Sequence, residues 1–164
     1  MYEERHGFAG ARRAPGGLGG PVARPPISFV VSSTTVSSLI LVSFDIDGTL
    51  EVGQPPGIVP ISLVRRAQEL GYLVGSCSDR PLSYQQAMWE RVSIVADFIA
   101  LKHRLDEVKA RFPLAAYYHV GDTDLDQFYA TAAGFRFLRA DADAHRAWSV
   151  ELFRGPGADA SSAR

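Results

Sequence analysis

Apolar and polar positions follow two alternating patterns through the middle of the chain. Leu39 to Phe44 is a nearly continuous apolar run, which is typical of a strand buried on both faces of a parallel sheet. Runs that predict four further strands follow at 72–77, 98–100, 117–120 and 135–138. The segments between them predict helices at 60–70, 78–91, 101–112 and 125–133. Strands that alternate with helices predict a doubly wound, Rossmann-like α/β fold with a mainly parallel five-stranded sheet.

Glycine and proline mark the boundaries of these elements. Gly71 and Gly134 stand directly after two predicted helices, where a glycine commonly ends a helix. Ser78-Asp79-Arg80-Pro81 offers a capping residue followed by a proline. We therefore expect the second helix to begin there, with Pro81 in its first turn.

The two ends of the chain differ from this central region. Residues 1–26 hold six of the 15 glycines, four of the 10 prolines and four arginines, without hydrophobic periodicity. Such a segment buries too little apolar surface to offset its ordering entropy, so residues 1–38 are predicted to be a disordered tail and linker. Within this tail, residues 27–38 are β-prone but polar. Both an additional strand and a linker remain open as interpretations of this segment. Residues 155–164 are predicted to be a flexible tail, which leaves 39–154 as one domain.

Composition and charge narrow the function classes. Apolar residues make up 46% and charged residues 21% of the chain, values that exclude disorder throughout. The net charge of −1 gives no overall basic field for nucleic acid or an anionic membrane, although a phosphorylated nucleic-acid end remains open as a substrate. The single cysteine excludes an internal disulfide and a Cys-rich zinc site. We expect a cytoplasmic protein without a membrane span.

Polar side chains follow the predicted strands, at the edge where sheets of this kind bind ligands. Asp45-Ile46-Asp47-Gly48-Thr49 follows the first strand, Ser78 the second and Lys102 the third. Gly121-Asp122-Thr123-Asp124-Leu125-Asp126 follows the fourth. Several carboxylates converge in a partly desolvated cleft only with positive charge nearby. Lys102 supplies one such charge. A divalent cation would supply the remaining positive charge, and a ligand set made only of oxygen atoms favours Mg²⁺.

These residue types suit phosphoryl transfer. An aspartate at a strand end can attack phosphorus in line and form an aspartyl-phosphate, the role predicted for Asp45. Asp47 points to the same side and can act as general acid on the leaving oxygen, then as base on water. The alternative is that Asp45 and Asp47 are merely turn formers, which an Asp-Gly sequence favours.

The four motifs, in this order, resemble those of the haloacid dehalogenase-like (HAD) hydrolase superfamily. Asp45-Ile46-Asp47-Gly48-Thr49 resembles its DxDGT motif, and Gly121-Asp122-Thr123-Asp124-Leu125-Asp126 resembles its GDxxxD motif. Ser78 matches its second motif and Lys102 its third. DxDG alone is a weak signal because short acidic turns are common, but all four motifs, each after a predicted strand, are specific. The resemblance covers about residues 39–140.

The resemblance implies a Mg²⁺-dependent phosphatase, an enzyme that hydrolyses phosphoric monoesters, and gives each motif residue a role. The implied catalytic residues are Asp45 and Asp47. The implied phosphate- and substrate-binding residues are Gly48 at the turn, Thr49 ordering it, Ser78 ahead of its helix, and Lys102. The implied metal ligands are Asp45, Asp47 through its backbone carbonyl, Asp122, and Asp126, which supports either the metal or Lys102.

Two of these assignments have rivals in the sequence. Ser76 is an alternative to Ser78 for the second motif. That motif normally lies immediately before a helix, so we favour Ser78. A role of Ser78 as a helix cap alone remains open. Lys109 is a rival for Lys102, but it falls within a predicted helix, whereas Lys102 follows the third strand. We therefore expect Ser78 and Lys102 at the site.

Other polar residues near the motifs have structural interpretations. Asp79 and Arg80 are expected to be a capping and a surface residue, with contact between Arg80 and substrate left open. Asp124 is interpreted as a solvated loop acid, with a role as a ligand in a variant site left open. Cys77 is expected to be an inert core residue, and the mechanism has no need of His119.

Activities in the superfamily are sorted largely by cap domains, for which this chain has little room. Residues 50–59 suffice for a short hairpin flap, and the 24 positions from Ser78 to Lys102 are filled by one helix and one strand. A site without a cap stays open to large molecules. We therefore expect a phosphorylated substrate, macromolecular ones included, or a homo-oligomer in which a second copy closes the site.

Two other classes of function remain open. A phospho-accepting signalling receiver also uses Asp, Ser or Thr, Lys and Mg²⁺, but its phosphorylated aspartate follows a later strand. A non-catalytic binding module on the same scaffold need keep neither Asp45 nor Asp47. The sequence therefore favours an enzyme.

Overall fold

A computed structural model gives the structure of residues 40–114 and 116–153. The strands are β1 (Ile40–Phe44), β2 (Leu73–Ser78), β3 (Phe98–Leu101), β4 (Ala116–Gly121) and β5 (Arg136–Arg139). The helices are α1 (Ile61–Glu69), α2 (Leu82–Arg91), α3 (Leu105–Arg111), α4 (Asp124–Ala132) and α5 (Ala142–Phe153). The tails predicted at 1–38 and 155–164 lie outside the described residues.

The five strands form one parallel sheet in the order β3-β2-β1-β4-β5. The apolar run of β1 lies at its centre, where Leu41, Val42 and Phe44 are fully buried. Because successive side chains of a strand point to opposite faces, Val42 packs with α1, α2 and α5, and Leu41 packs with α3 and α4. The predicted doubly wound α/β fold is confirmed.

The helices α1 and α4 end where the glycines in the sequence predicted. Gly71 follows α1 with φ +80° and Gly134 follows α4 with φ +73°, the left-handed conformation that glycine adopts without strain.

The predicted start of the second helix is wrong. Ser78 is the last residue of β2, where it pairs with Leu101 of β3, and α2 begins only at Leu82 with Pro81 as its N-cap. Ser78 is therefore at a strand end and does not cap the helix. The predicted helix at 101–112 likewise begins later, because Leu101 belongs to β3 and residues Lys102–Arg104 form a 3₁₀ turn before α3.

The sequence analysis predicted no helix where α5 lies. Its buried residues Trp148, Leu152 and Phe153 pack against the same core as α1 and α2. The Trp148 indole donates to the carbonyl of Arg139 at 2.7 Å, and the Tyr72 hydroxyl donates to that of Leu152 at 2.8 Å. These contacts fix α5 beside β5 and the residue that precedes β2.

The connection between β1 and α1, where the sequence leaves room for a short flap and not for a domain, is a compact loop. Leu50 and Val59 form an isolated parallel bridge, and the Glu51 amide donates to the Val59 carbonyl at 2.9 Å. β3 leads directly into Lys102. Within residues 40–114 and 116–153, no inserted domain is present at either place where a cap was considered. In the same part of the chain, no helix is long and apolar enough to cross a membrane.

Candidate functional site

Four predicted site residues meet at the carboxyl ends of the central strands. Asp45, Asp122 and Asp126, which we call the acidic cluster, each place a carboxylate oxygen within 4.8 Å of the others. The Lys102 ammonium lies 2.7 Å from Asp126 Oδ1 and 3.5 Å from Asp45 Oδ1. The strand order explains this convergence, because β1 lies between β2 and β4.

Asp45 is buried, and its Oδ1 faces the Lys102 ammonium at 3.5 Å without a closer hydrogen bond from the residues that the structure describes. Its side chain is 5% exposed. Burial and the nearby charge of Asp126 raise the pKa of Asp45 to about 7, although Lys102 and the Ser78 hydroxyl favour its charged form. Besides Lys102, a cation or an electrophilic phosphorus would also compensate this oxygen.

Lys102 balances the negative charge of the site. Besides the contacts with Asp45 and Asp126, its ammonium lies 3.1 Å from Asp79 Oδ2. Burial alone would lower the pKa of Lys102, but the adjacent carboxylates outweigh burial and hold it above its ordinary value. Lys102 is therefore a fixed positive charge at neutral pH.

Asp126 has a structural role as well as a place in the site. Its Oδ2 accepts a hydrogen bond from the Thr123 amide at 2.9 Å, and its own amide donates to the Thr123 hydroxyl at 3.2 Å, which makes a capping box at the start of α4. The Thr123 hydroxyl also donates to Asp126 Oδ2 at 2.6 Å. Burial would raise the pKa of Asp126, but His119, Lys102 and Thr123 hold it well below its ordinary value. Of the two supporting roles predicted for Asp126, the structure provides the contact with Lys102.

Asp122 is half-buried and held from two sides. The Thr49 hydroxyl donates to its Oδ1 at 3.2 Å, and Arg139 donates to its backbone carbonyl at 2.9 Å. Gly48 has φ +70°, and a Cβ there would lie 2.2 Å from Asp122 Oδ2. The turn after β1 thus needs glycine to make room for Asp122, and Thr49 links the first motif to the fourth. Substrate contact by Gly48 and Thr49 stays a prediction.

The donor set of the acidic cluster fits a hard divalent cation. All three side chains offer oxygen, the ligand type of Mg²⁺ and Ca²⁺. Lys102 supplies one positive charge against the three carboxylates, at 2.7 Å from Asp126 and 3.5 Å from Asp45, so a cation would balance further negative charge there. The site can hold a metal ion, and Mg²⁺ as its identity stays a prediction.

The Asp47 carboxylate lies outside the acidic cluster. Its Oδ2 is 2.6 Å from Nε of Arg80, and its Oδ1 accepts a hydrogen bond from the Gln54 amide at 2.9 Å. Arg80 is a partly exposed residue, as expected, and its pairing with Asp47 is a contact that the sequence analysis did not predict. The metal contact implied for the Asp47 backbone carbonyl stays a prediction.

The preference for Ser78 over Ser76 and for Lys102 over Lys109 agrees with the structure. Ser78 is buried beside Asp45, whereas Ser76 is held in the core by Gln85 and Trp89. Lys109 bonds to the carbonyl of Gly134 at 3.1 Å and takes no part in the cluster.

Neighbouring residues divide into those interpreted correctly and those missed. Asp124 is 94% exposed, as expected of a solvated acid, and pairs with Arg139 at 2.6 Å. Cys77 is buried, and burial raises the pKa of its thiol to about 12, in agreement with an inert core residue. Asp79, expected only as a cap, instead binds Lys102.

His119 supports the site from beneath the sheet edge, and the sequence analysis gave it no role. It is fully buried, with Nε2 3.7 Å from Asp126 Oδ1 and Nδ1 3.1 Å from the Ser43 hydroxyl. Burial lowers the pKa of His119 despite the nearby Asp126, so the ring is neutral at pH 7. His119 in β4 is paired in register with Ser43 of β1, a pairing that the sequence does not reveal.

The chain matches no model of a known protein family and no curated protein. Membership of the HAD superfamily therefore stays a prediction from the four motifs and their order.

Proposed function

We propose that the protein is a Mg²⁺-dependent phosphatase that hydrolyses phosphate monoesters through an aspartyl-phosphate on Asp45. One observation carries this proposal: the buried carboxylate of Asp45 lies 3.5 Å from the fixed charge of Lys102 and belongs to the acidic cluster. That combination supports Asp45 as the nucleophile, Lys102 as its counter-charge and the acidic cluster as oxygen ligands for a cation, at the edge where parallel sheets bind ligands.

In the first step, an Asp45 carboxylate oxygen attacks phosphorus and the bond from phosphorus to the ester oxygen breaks. Asp47 gives a proton to the departing oxygen, which leaves as an alcohol. Lys102 offsets negative charge on Asp45 and on the phosphoryl oxygens, and the Ser78 hydroxyl donates to one of those oxygens. When bound, the cation neutralises further charge on the transferring group.

In the second step, water attacks the phosphorus of the aspartyl-phosphate and the bond from phosphorus to the Asp45 oxygen breaks. Asp47, now ionised, takes a proton from that water. Inorganic phosphate leaves, and the Asp45 carboxylate is restored. Each proton that Asp47 gives in the first step is thus recovered in the second.

The open site supports a substrate with a large body. The compact loop at 50–59 and the direct passage from β3 to Lys102 put no inserted domain over the acidic cluster in the described residues. This supports a phosphorylated macromolecule as the substrate class. Closure of the site by a second copy of the chain is the alternative, and the mass of the protein in solution tests it.

Hydrolysis of an aryl phosphate with Mg²⁺ tests the proposed function. We expect Asp45→Asn to lower kcat by about 10³-fold or more, because the amide is not a nucleophile. Asp106→Asn, a matched change at an exposed acid on α3, is expected to keep wild-type activity. Equal activity in Asp45→Asn and wild type would overturn the role of Asp45.

Acid quenching during turnover distinguishes the other classes of function. A phosphatase accumulates a labile aspartyl-phosphate only while substrate lasts. A phosphoaspartate that outlives the substrate would indicate a receiver, and absence of turnover on a broad panel of phosphate esters would indicate a binding module.

A further inference from the structure

Both oxygens of the Asp47 carboxylate are engaged by residues outside the acidic cluster. Arg80 Nε lies 2.6 Å from Asp47 Oδ2, and the Gln54 amide donates to Asp47 Oδ1 at 2.9 Å. Arg80 Nη2 also donates to the Gln54 carbonyl at 3.2 Å. Asp47, Gln54 and Arg80 thus form a closed set of hydrogen bonds, which we call the Asp47 ring.

The Asp47 ring conflicts with the proton transfer that the proposed function asks of Asp47. A general acid must present a protonated oxygen to the leaving group. Within the ring, both oxygens instead accept hydrogen bonds from Arg80 and Gln54. The ring must therefore open before Asp47 can act.

Opening the ring costs little. The side chains of Arg80 and Asp47 are 37% and 27% exposed, and an ion pair with that much exposure to water contributes little to stability. A phosphoryl group offers the guanidinium two oxygens and more negative charge than a single carboxylate oxygen does. It can therefore displace Asp47 from Arg80.

Arg80 is close to the place where the phosphoryl group would bind. Its backbone amide donates to the Ser78 hydroxyl at 3.4 Å, and that hydroxyl also interacts with Asp45. The guanidinium carbon lies 4.8 Å from the centre of the Tyr84 ring, so one face of the flat group is supported by α2.

We propose that Arg80 exchanges the Asp47 carboxylate for an oxygen of the substrate's phosphoryl group, and that this exchange frees Asp47 for proton transfer. The inference rests on the proposed function, since it takes Asp47 as the general acid. Arg80 is then a phosphate-binding residue that couples the arrival of substrate to the release of the acid.

Calorimetric titration with inorganic phosphate in excess Mg²⁺ tests the exchange without turnover. Arg80→Gln is expected to weaken phosphate binding about tenfold or more, because the guanidinium contact is lost. Arg104→Gln is the matched control: this arginine is 53% exposed and pairs with Glu107, and its loss should leave phosphate binding unchanged. Wild-type affinity in Arg80→Gln would overturn the proposal.

Asp47→Asn, made alone and together with Arg80→Gln, distinguishes the proposed exchange from a general loss of charge repulsion between Asp47 and phosphate. Asp47→Asn is expected to tighten phosphate binding several-fold, because the competitor for Arg80 has lost its charge. In an Arg80→Gln background, the same change should have no effect, since there is no guanidinium to release. Equal tightening in both backgrounds would show plain loss of repulsion and would overturn the exchange.

These outcomes are distinct from failure of the proposed function. If Arg80→Gln binds phosphate like wild type while Asp45→Asn is inactive, the exchange fails and the phosphatase stands. If Asp45→Asn hydrolyses the aryl phosphate at the wild-type rate, the proposed function fails. Wild-type protein that binds no phosphate in Mg²⁺ would overturn the exchange as well.

Discussion

A buried carboxylate such as Asp45 links stability to pH. Its pKa rises from 3.8 to about 7 on folding, chiefly because burial disfavours the charge. The folded state therefore holds the proton more tightly than the unfolded chain does. The resulting stabilisation is complete below about pH 4 and is lost as the pH rises through 7, so this group makes the free energy of unfolding fall across that window.

Replacing this charge should stabilise the metal-free protein. Asp45→Asn removes the ionisable group at similar shape, and we expect the free energy of unfolding at pH 8 to increase by about 1–3 kcal/mol. Urea denaturation in a chelator from pH 4 to 8 measures it. Asp106→Asn should follow the wild-type pH profile, and an Asp45→Asn protein less stable than wild type at pH 8 would contradict the prediction.

At the scale of elements, the residues at the start of α4 have two structural roles. The Thr123–Asp126 capping box begins the helix, and the same Asp126 carboxylate faces Lys102 with its other oxygen. A defect in the cap would therefore disturb the charge balance of the site as well as the helix.

Thr123→Ala should lower the free energy of unfolding by about 1–2 kcal/mol, because Asp126 Oδ2 loses a donor and the Asp126 amide loses its acceptor. Thr123→Ser keeps the hydroxyl and should recover most of the loss. Urea denaturation at neutral pH measures both. Thr131→Ala, at an exposed position of the same helix, is the control and should cost less than about 0.5 kcal/mol.

The elements show why sequence reasoning succeeded in some places and failed in others. The apolar run of β1 and the glycines after α1 and α4 act locally, so they could be predicted. The start of α2 depends on pairing between Ser78 and Leu101, which are 23 residues apart in the chain. Local capping signals at Ser78 carry no information about that partner.

The candidate site also has parts that could be predicted from the sequence and parts that could not. Motif order predicted the convergence of Asp45, Lys102, Asp122 and Asp126 because parallel strands bring their carboxyl ends together. The Asp47 ring was missed because it depends on the path of the loop at 50–59.

For the whole molecule, the acidic cluster joins segments that are far apart in the sequence. Asp45 follows β1, whereas Asp122 and Asp126 follow β4 about 80 residues later. A bound cation would cross-link these segments in the folded state only, so metal binding should stabilise the entire domain.

We expect Mg²⁺ at one hundred times its Kd to raise the free energy of unfolding by about 2.7 kcal/mol. Thermal denaturation in a Mg²⁺ series, against a chelator baseline, measures the shift in Tm. Asp122→Asn should lose most of the shift, whereas Asp106→Asn should keep it. A Tm independent of Mg²⁺ at millimolar concentrations would count against a metal site.

The compact loop between β1 and α1 begins and ends at almost the same place. Leu50 and Val59 are bridged, so the chain leaves the sheet edge and returns to it within ten residues. Sequence inserted between these two points would leave the strand register untouched and begin within a few residues of Asp45. This loop can therefore accommodate a longer segment while the sheet and the acidic cluster are inherited unchanged.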